Sequence, residues 1–364
     1  MKEEADNQEV TEKEPEFNSQ KILNIFGSSV SRTAIIKAEA DGSLPVAKRI
    51  GKSGKRVWSY DDIPIFGERY GFLKKPDRPS VITLFATKGG ILKTTLAVNI
   101  ARMAALHNIK TLVIGLDMQC DLTSDLGYGA DISENDSLDE ALQKLGTVFG
   151  LYDFSQKRLS LEDLIEVSDI PTLHFIPETP ALTQLDRDIG SMDFREHWLD
   201  KEVITPLKSK YDLIVIDCSP NWNNLITNAL IASDLIISPL ECKIKHFRNY
   251  PYFKVHIEAF LKKTGMRAKH LYVATKHVQA KKLSKDIKNW YLKNVPNCLA
   301  TTIRESARAE EACAKFLSVP EHVPSDTVAQ EMREFVGEVW EHLSVKEADL
   351  TVGKIKPAVE IYQG

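Results

Sequence analysis

Residues 88–95 read KGGILKTT. A lysine followed by a hydroxyl side chain, just behind a glycine pair, is suited to holding a phosphoanhydride. Gly89 and Gly90 let the backbone approach an anion closely. Lys93 offers a fixed positive charge for β- and γ-phosphates, and Thr94 a hydroxyl for a Mg²⁺ ion. Two features depart from the commonest phosphate loop. Leu92 stands where a glycine usually precedes the lysine, and Thr87 where the loop usually has its first glycine. In exchange there is an earlier lysine, Lys88.

Two carboxylates complete a possible phosphate-transfer site. Asp117, in LVIGLDMQCDLTSDLG, follows an apolar run and lies 24 residues after Lys93. Asp217, in YDLIVIDCSPNWNNLITNAL, follows four apolar residues, the Walker-B pattern that holds a magnesium shell. A lone aspartate at a strand end is often only a helix cap. Two of them on strands flanking the loop strand favour metal and water positioning. The expected cofactors are therefore ATP and Mg²⁺. The nucleotide-contacting set is Gly89, Gly90, Ile91, Leu92, Lys93, Thr94, Thr95 and Asp217, and the metal set is Thr94, Asp117 and Asp217.

Such a loop works only with a strand before it and a helix after it, so that free N–H groups at the helix start face the phosphates. Both are expected. VITLFA (81–86) is a short apolar run, and Leu96, Ile100, Met103 and His107 mark one face of a helix over 93–107. Further apolar runs at 111–116, 172–177, 212–217, 235–240 and 270–275 are separated mostly by helical patterns. Apolar strands without polar alternation, spaced by helices, predict a doubly wound α/β domain with a mostly parallel sheet covered on both faces. It should run over 81–345 and end in a helix at 326–343.

The chain has 364 residues, 43% hydrophobic and 27% charged, ample for one large domain plus a small one. No apolar run approaches the ~18 residues of a membrane-spanning helix. The five cysteines are odd in number with no C-x-x-C pair, so neither a disulfide framework nor a zinc site is expected, and the natural reading is cytoplasmic. The net charge of −4 hides an asymmetry. Residues 1–17 carry two Lys against seven Asp/Glu and read as a disordered acidic tail that is no signal peptide. Residues 18–75 carry eleven Lys/Arg against five Asp/Glu. In that basic segment NSQKILNIFG and SRTAIIKAEADG are short helical patterns, the second capped by Ser31 and closed by Gly42. AKRIGKSGKRVWSY then alternates about a tight turn, as a hairpin does. Residues 76–80 read as a linker and 346–364 as an exposed end.

The motifs together resemble the ParA family of partition ATPases, within the deviant-Walker-A group that includes MinD and the nitrogenase iron protein. That group's loop is KGGxGKTT, against KGGILKTT here; its second motif is roughly DxDPQGNLT, against GLDMQCDLT; its third is YDxxxIDCPP…NAL, against YDLIVIDCSP…NAL. The likeness spans about 81–343 and includes TTIRESARAEEACAKFLSVPEH. Leu92, Gly115 and Met118 depart from it, Gly115 standing where the family often has its first aspartate. The resemblance implies a slow, partner-stimulated ATPase with Lys88, Lys93 and Asp117 as catalytic residues. In it Lys88 reaches across a homodimer to the partner's ATP, and Asp117 orients the attacking water. It also implies a ParB-type partner and nucleoid association.

Residues 18–75 resemble a MerR-like winged helix-turn-helix. That likeness implies operator binding, with Arg32, Thr33 and Lys37 on the recognition helix and Lys48, Arg49, Lys52, Lys55 and Arg56 on the wing. Lys281, Lys285 and Lys288 share one helical face, which by the ParA resemblance would bind DNA without sequence preference; a solvated helix face is the plainer account. Arg304 and Arg308 are further candidates, and Trp222 and Trp290 read as core. An alternative to a partition ATPase that represses its own operon is a nucleotide-controlled repressor with little turnover. A MinD-like membrane role would need an amphipathic basic helix at the end, where LTVGKIKPAVEIYQG has a proline and no such repeat.

Overall fold

The computed structural model describes residues 16–128, 137, 148–266 and 268–344. The acidic tail, except its last two residues, and the end at 346–364 lie outside these. The central sheet has the strand order β10-β9-β8-β3-β7-β4-β6-β5. Its members are β3 (Ser80–Leu84), β4 (Thr111–Leu116), β5 (Glu166–Val167), β6 (Leu173–Ile176), β7 (Leu213–Cys218), β8 (Leu235–Glu241), β9 (Lys269–His277) and β10 (Cys298–Arg304). All neighbours pair in parallel except β5 with β6. Two of these strands were not expected. β5 is only two residues long, too short to leave a pattern, and β10 (CLATTIR) is half polar because it is an edge strand with one open side.

Alternate residues of each strand enter two cores. Ile82, Leu84, Val113 and Val215 face one layer, with α4 (Lys93–Leu106) and the helix Thr327–Ser344; Val81, Ile114, Ile214 and Ile216 face the other, with the helices at 224–232 and 244–264. β3 sits between β7 and β8, where the chain's direction of travel across the sheet reverses. Crevices at the C-terminal ends of strands form at such a point, so the topology itself puts residues 87–95 there.

The basic segment forms α1 (Ser19–Phe26), α2 (Arg32–Ala40), a hairpin of β1 (Lys48–Ile50) with β2 (Lys55–Val57), and an unanticipated helix α3 (Ile63–Tyr70). Ser31 caps α2 as expected, and Gly42, left-handed at φ 77° just after Asp41, closes it as expected. Phe17, counted with the tail by charge, is 1% exposed; its backbone bridges Trp58 and its ring meets Tyr60 edge-on. Order therefore reaches back at least to Phe17, because an aromatic ring there completes the small module's core.

This module is seated on α4 by tight contacts. A β-carbon on Gly67 would come 1.8 Å from the Leu106 carbonyl oxygen, so only glycine lets α3 cross there. Arg102, wholly buried on α4, donates to both carboxylate oxygens of Asp169 and both of Glu321, all at 2.8 Å. The Tyr60 hydroxyl donates to the same Glu321 at 2.8 Å. The residues just before the expected linker are pinned too: Trp340 Nε1 donates to the Lys74 carbonyl, and Lys75 pairs with Asp212.

Candidate nucleotide site

β3 delivers the chain to the sheet edge, Gly90 turns it with φ 69°, and Leu92 turns it again with φ 76° and ψ 21°. Lys93 is then the first residue of α4. The left-handed conformation at 92 is the one that glycine adopts without strain, which is why a glycine is usual before the lysine. Here a leucine takes it, and its half-buried side chain packs against the core beneath α4.

Lys93 is 7% exposed, and its Nζ donates to the Lys88 carbonyl at 3.0 Å. Burial pulls its ammonium below the usual lysine range, against the attraction of Asp217. Thr94 Oγ1 donates to Asp217 Oδ2 at 2.6 Å. Asp217 is 1% exposed, and its other oxygen, Oδ1, is buried with no hydrogen-bond partner. Burial pushes this carboxyl up to about 7, despite the Thr94 hydroxyl and the Lys93 charge. A buried carboxylate with an unused oxygen, touching a hydroxyl at a helix start, suits a hard cation such as Mg²⁺, which is held by few protein oxygens and completes its shell with water and phosphate. That also accounts for the lack, among the described residues, of any cluster of three or more His, Cys, Asp or Glu able to hold a metal.

These residues open onto a cleft of about 650 Å³. Gly89, Gly90 and Leu92–Thr95 line one side, and Asp117 faces them from the end of β4. Asp117 Oδ1 accepts the Gln119 N–H at 3.1 Å. Lys276, Asn221 and Glu310 also line the cleft and were not foreseen. Lys276 lies at the end of β9 with φ 51°, a conformation that residue spacing cannot reveal.

Lys88 does not line the cleft. Its ammonium is paired with Glu241 at the end of β8, and Glu241 is paired in turn with Lys243. Thr95 lines the cleft, whereas the Ile91 side chain is buried at 1% exposure.

In the basic module Arg32, Thr33 and Lys37 are exposed along α2, and Lys48, Arg49, Lys52 and Lys55 along the hairpin. Arg56 instead pairs with Glu39 at 3.3 Å and is half-buried. A groove of about 340 Å³ runs between α1, α2 and β2, with Arg32 and Lys55 on its walls. Lys281 and Lys285 are exposed, but Lys288 is half-buried, because it borders the packed face set by Ser284, Ile287 and Tyr291. Arg304 and Arg308 are held by Glu331 and Glu311. Trp222 packs edge-on against Phe85 and Phe260 as a core residue does, whereas Trp290 is 38% exposed at the margin of the aromatic group around Phe247.

Residues 79–265 match the AAA_31 family, described as an AAA domain. The "Chromosome partitioning protein ParA" of Myxococcus xanthus is 31% identical over 163 residues, 45% of this chain and 52% of that protein. The "Sporulation initiation inhibitor protein Soj" of Bacillus subtilis is 29% identical over 163 residues, 45% of this chain and 58% of that protein. The chain thus spans little more than half the length of these curated relatives. A solved plasmid partition protein from Borrelia burgdorferi has a TM-score of 0.55 at 23% identity, covering 73% of this chain and 99% of that one. A Cyanothece McdA–ATP complex has a TM-score of 0.61 at 18% identity, covering 74% and 98%. These two share the fold. The family match takes in the phosphate loop, Asp117 and Asp217 and covers more than half of the sequence, so the chain belongs to the AAA_31 family of AAA domains.

Proposed function

We propose that the chain is a ParA-type DNA partition ATPase, hydrolysing ATP with Mg²⁺ slowly alone and faster with a ParB-type partner. The observation that carries this reading is the contact of Thr94 with Asp217 beside the buried Lys93, at the start of the helix that follows a central strand. The α4 N–H groups and Lys93 hold the β- and γ-phosphates. Thr94 and Asp217 would hold the metal, whose charge would offset that gathering on the phosphates. Asp117, across the cleft, orients the attacking water and would help to hold the metal. Lys88 leaves Glu241 when two ATP-loaded subunits meet, and neutralises the facing γ-phosphate.

DNA is engaged in two ways in this reading. Arg32, Thr33, Lys37 and the wing residues Lys48, Arg49, Lys52, Lys55 and Arg56 contact an operator, and so repress the chain's own operon. Lys281, Lys285 and Lys288 contact bulk DNA once the dimer forms, which holds the protein on the nucleoid. ATP turnover and retention on random DNA, measured together with and without the partner, test this. Retention should require ATP, and turnover should rise when partner and DNA are both present. Nucleotide binding without turnover, with operator affinity set by nucleotide, would favour the nucleotide-controlled repressor instead.

A further inference from the structure

Gly115 is the next-to-last residue of β4 and lies in register with Asp217 on β7. A β-carbon built on Gly115 would fall 2.2 Å from both Cδ and Oε1 of Glu178. The space that any other residue at 115 would need is already filled by a carboxyl group. Glu178 reaches it from the segment just after β6, the strand beside β4, and is 2% exposed.

That carboxyl holds both ends of one loop. Its Oε1 accepts the Asp117 N–H at 3.1 Å, and its Oε2 accepts the Thr123 N–H at 3.2 Å. Thr123 Oγ1 in turn accepts the Glu178 N–H at 2.8 Å. Between these anchors run Asp117, Met118 and Gln119, which line the cleft, and Cys120, which takes φ 60°. A buried carboxyl that accepts two N–H groups from one loop fixes where that loop stands.

We infer that Glu178 is the positioning residue of the Asp117 loop, and that Gly115 and Glu178 form a reciprocal pair in which the acid that the resembling motif carries on β4 is supplied from behind β6. The inference rests on the ATPase reading for its catalytic consequence, but not for its geometry. Glu178 does not line the cleft. It acts through Asp117, by holding that backbone where the carboxylate reaches a water in the cleft. The pairing also explains why a glycine is needed at 115: an aspartate there and Glu178 would claim the same volume.

The test uses the full chain, with Glu178→Ala, Gly115→Asp, the double variant and Glu178→Gln. Glu178→Ala should bind a fluorescent ATP analogue with Mg²⁺ within about threefold of wild type, yet lose roughly tenfold or more in kcat, as a displaced catalytic group does. Gly115→Asp alone should be strongly destabilised. The double variant, with the acid back on β4 and its space cleared, should recover most of both stability and kcat. Glu178→Gln keeps the volume but turns an amide toward one of the two N–H donors. It should lower kcat with affinity retained and speed amide exchange at Asp117 and Thr123. Wild-type kcat in Glu178→Gln, or a stable double variant no faster than Glu178→Ala, would overturn the inference. Should the wild-type chain show no turnover at all, the ATPase reading fails instead. Amide exchange then decides this one: unchanged exchange at both residues in Glu178→Gln would overturn it.

Discussion

Leu92 answers a question that its loop poses but cannot settle. The chain must reverse just before Lys93 so that the first N–H groups of α4 face the cleft, and the reversal requires the left-handed φ of 76°. For a residue with a β-carbon that conformation costs about 1 kcal/mol or more. The half-buried leucine side chain offsets part of this by packing under α4. Leu92→Gly should thus relieve strain and lose packing together. Its melting stability should stay within about 1 kcal/mol of wild type, with ATP affinity unchanged. Thermal melts and a nucleotide titration check this, and loss of ATP binding would show that the side chain itself shapes the loop. The lysine–threonine pair and the two strand-end aspartates were legible because their chemistry is carried by residue type and spacing. The tolerance of Leu92 and the role of Glu178 were not, since both depend on which atoms the fold brings close across sequence gaps.

At the scale of elements, α4 serves two masters. Its first turn carries Lys93 and Thr94, and its later turns carry the seat of the N-terminal module. His107, the residue that closes it, is 2% exposed between the rings of Phe26 and Phe72. The Phe72 N–H donates to His107 Nε2 at 3.1 Å, so Nδ1 carries the proton and donates to the Met103 carbonyl. Burial pulls this imidazole down from 6.5 to about 4. A depressed histidine stabilises the fold above its unfolded value and loses that contribution as pH falls toward its folded one. The seat should therefore weaken between pH 6.5 and about 4. Melting temperature followed across that window should fall with acid, and less steeply in His107→Gln; identical slopes would place the acid sensitivity elsewhere. Six of the eight strands of the sheet were legible as apolar runs, and α4 as a periodic one. α3 was not, because IPIFGERY reads as no clear helix until its glycine is set against Leu106.

For the whole molecule, the module and the larger domain share one continuous core, reaching from Phe17 and Trp58 through Leu106 to Val339. Removing residues 18–75 would expose that apolar face, so the proposed operator binding is better probed by Arg32→Ala and Lys55→Ala, which leave the seat intact. The sharper issue is whether the two lysines of KGGILKTT do different work. Lys93 is buried at the start of its own helix, whereas Lys88 is 37% exposed and held by Glu241 of the same chain. Lys93→Ala should weaken ATP binding itself. Lys88→Ala should bind ATP nearly normally and yet fail to dimerise or to stay on bulk DNA. Sedimentation velocity of wild type and both variants, with Mg²⁺ and a slowly hydrolysed ATP analogue, reads this directly. A nucleotide-dependent dimer in wild type alone is the result predicted; a dimer of the same stability in Lys88→Ala would contradict the two-subunit mechanism.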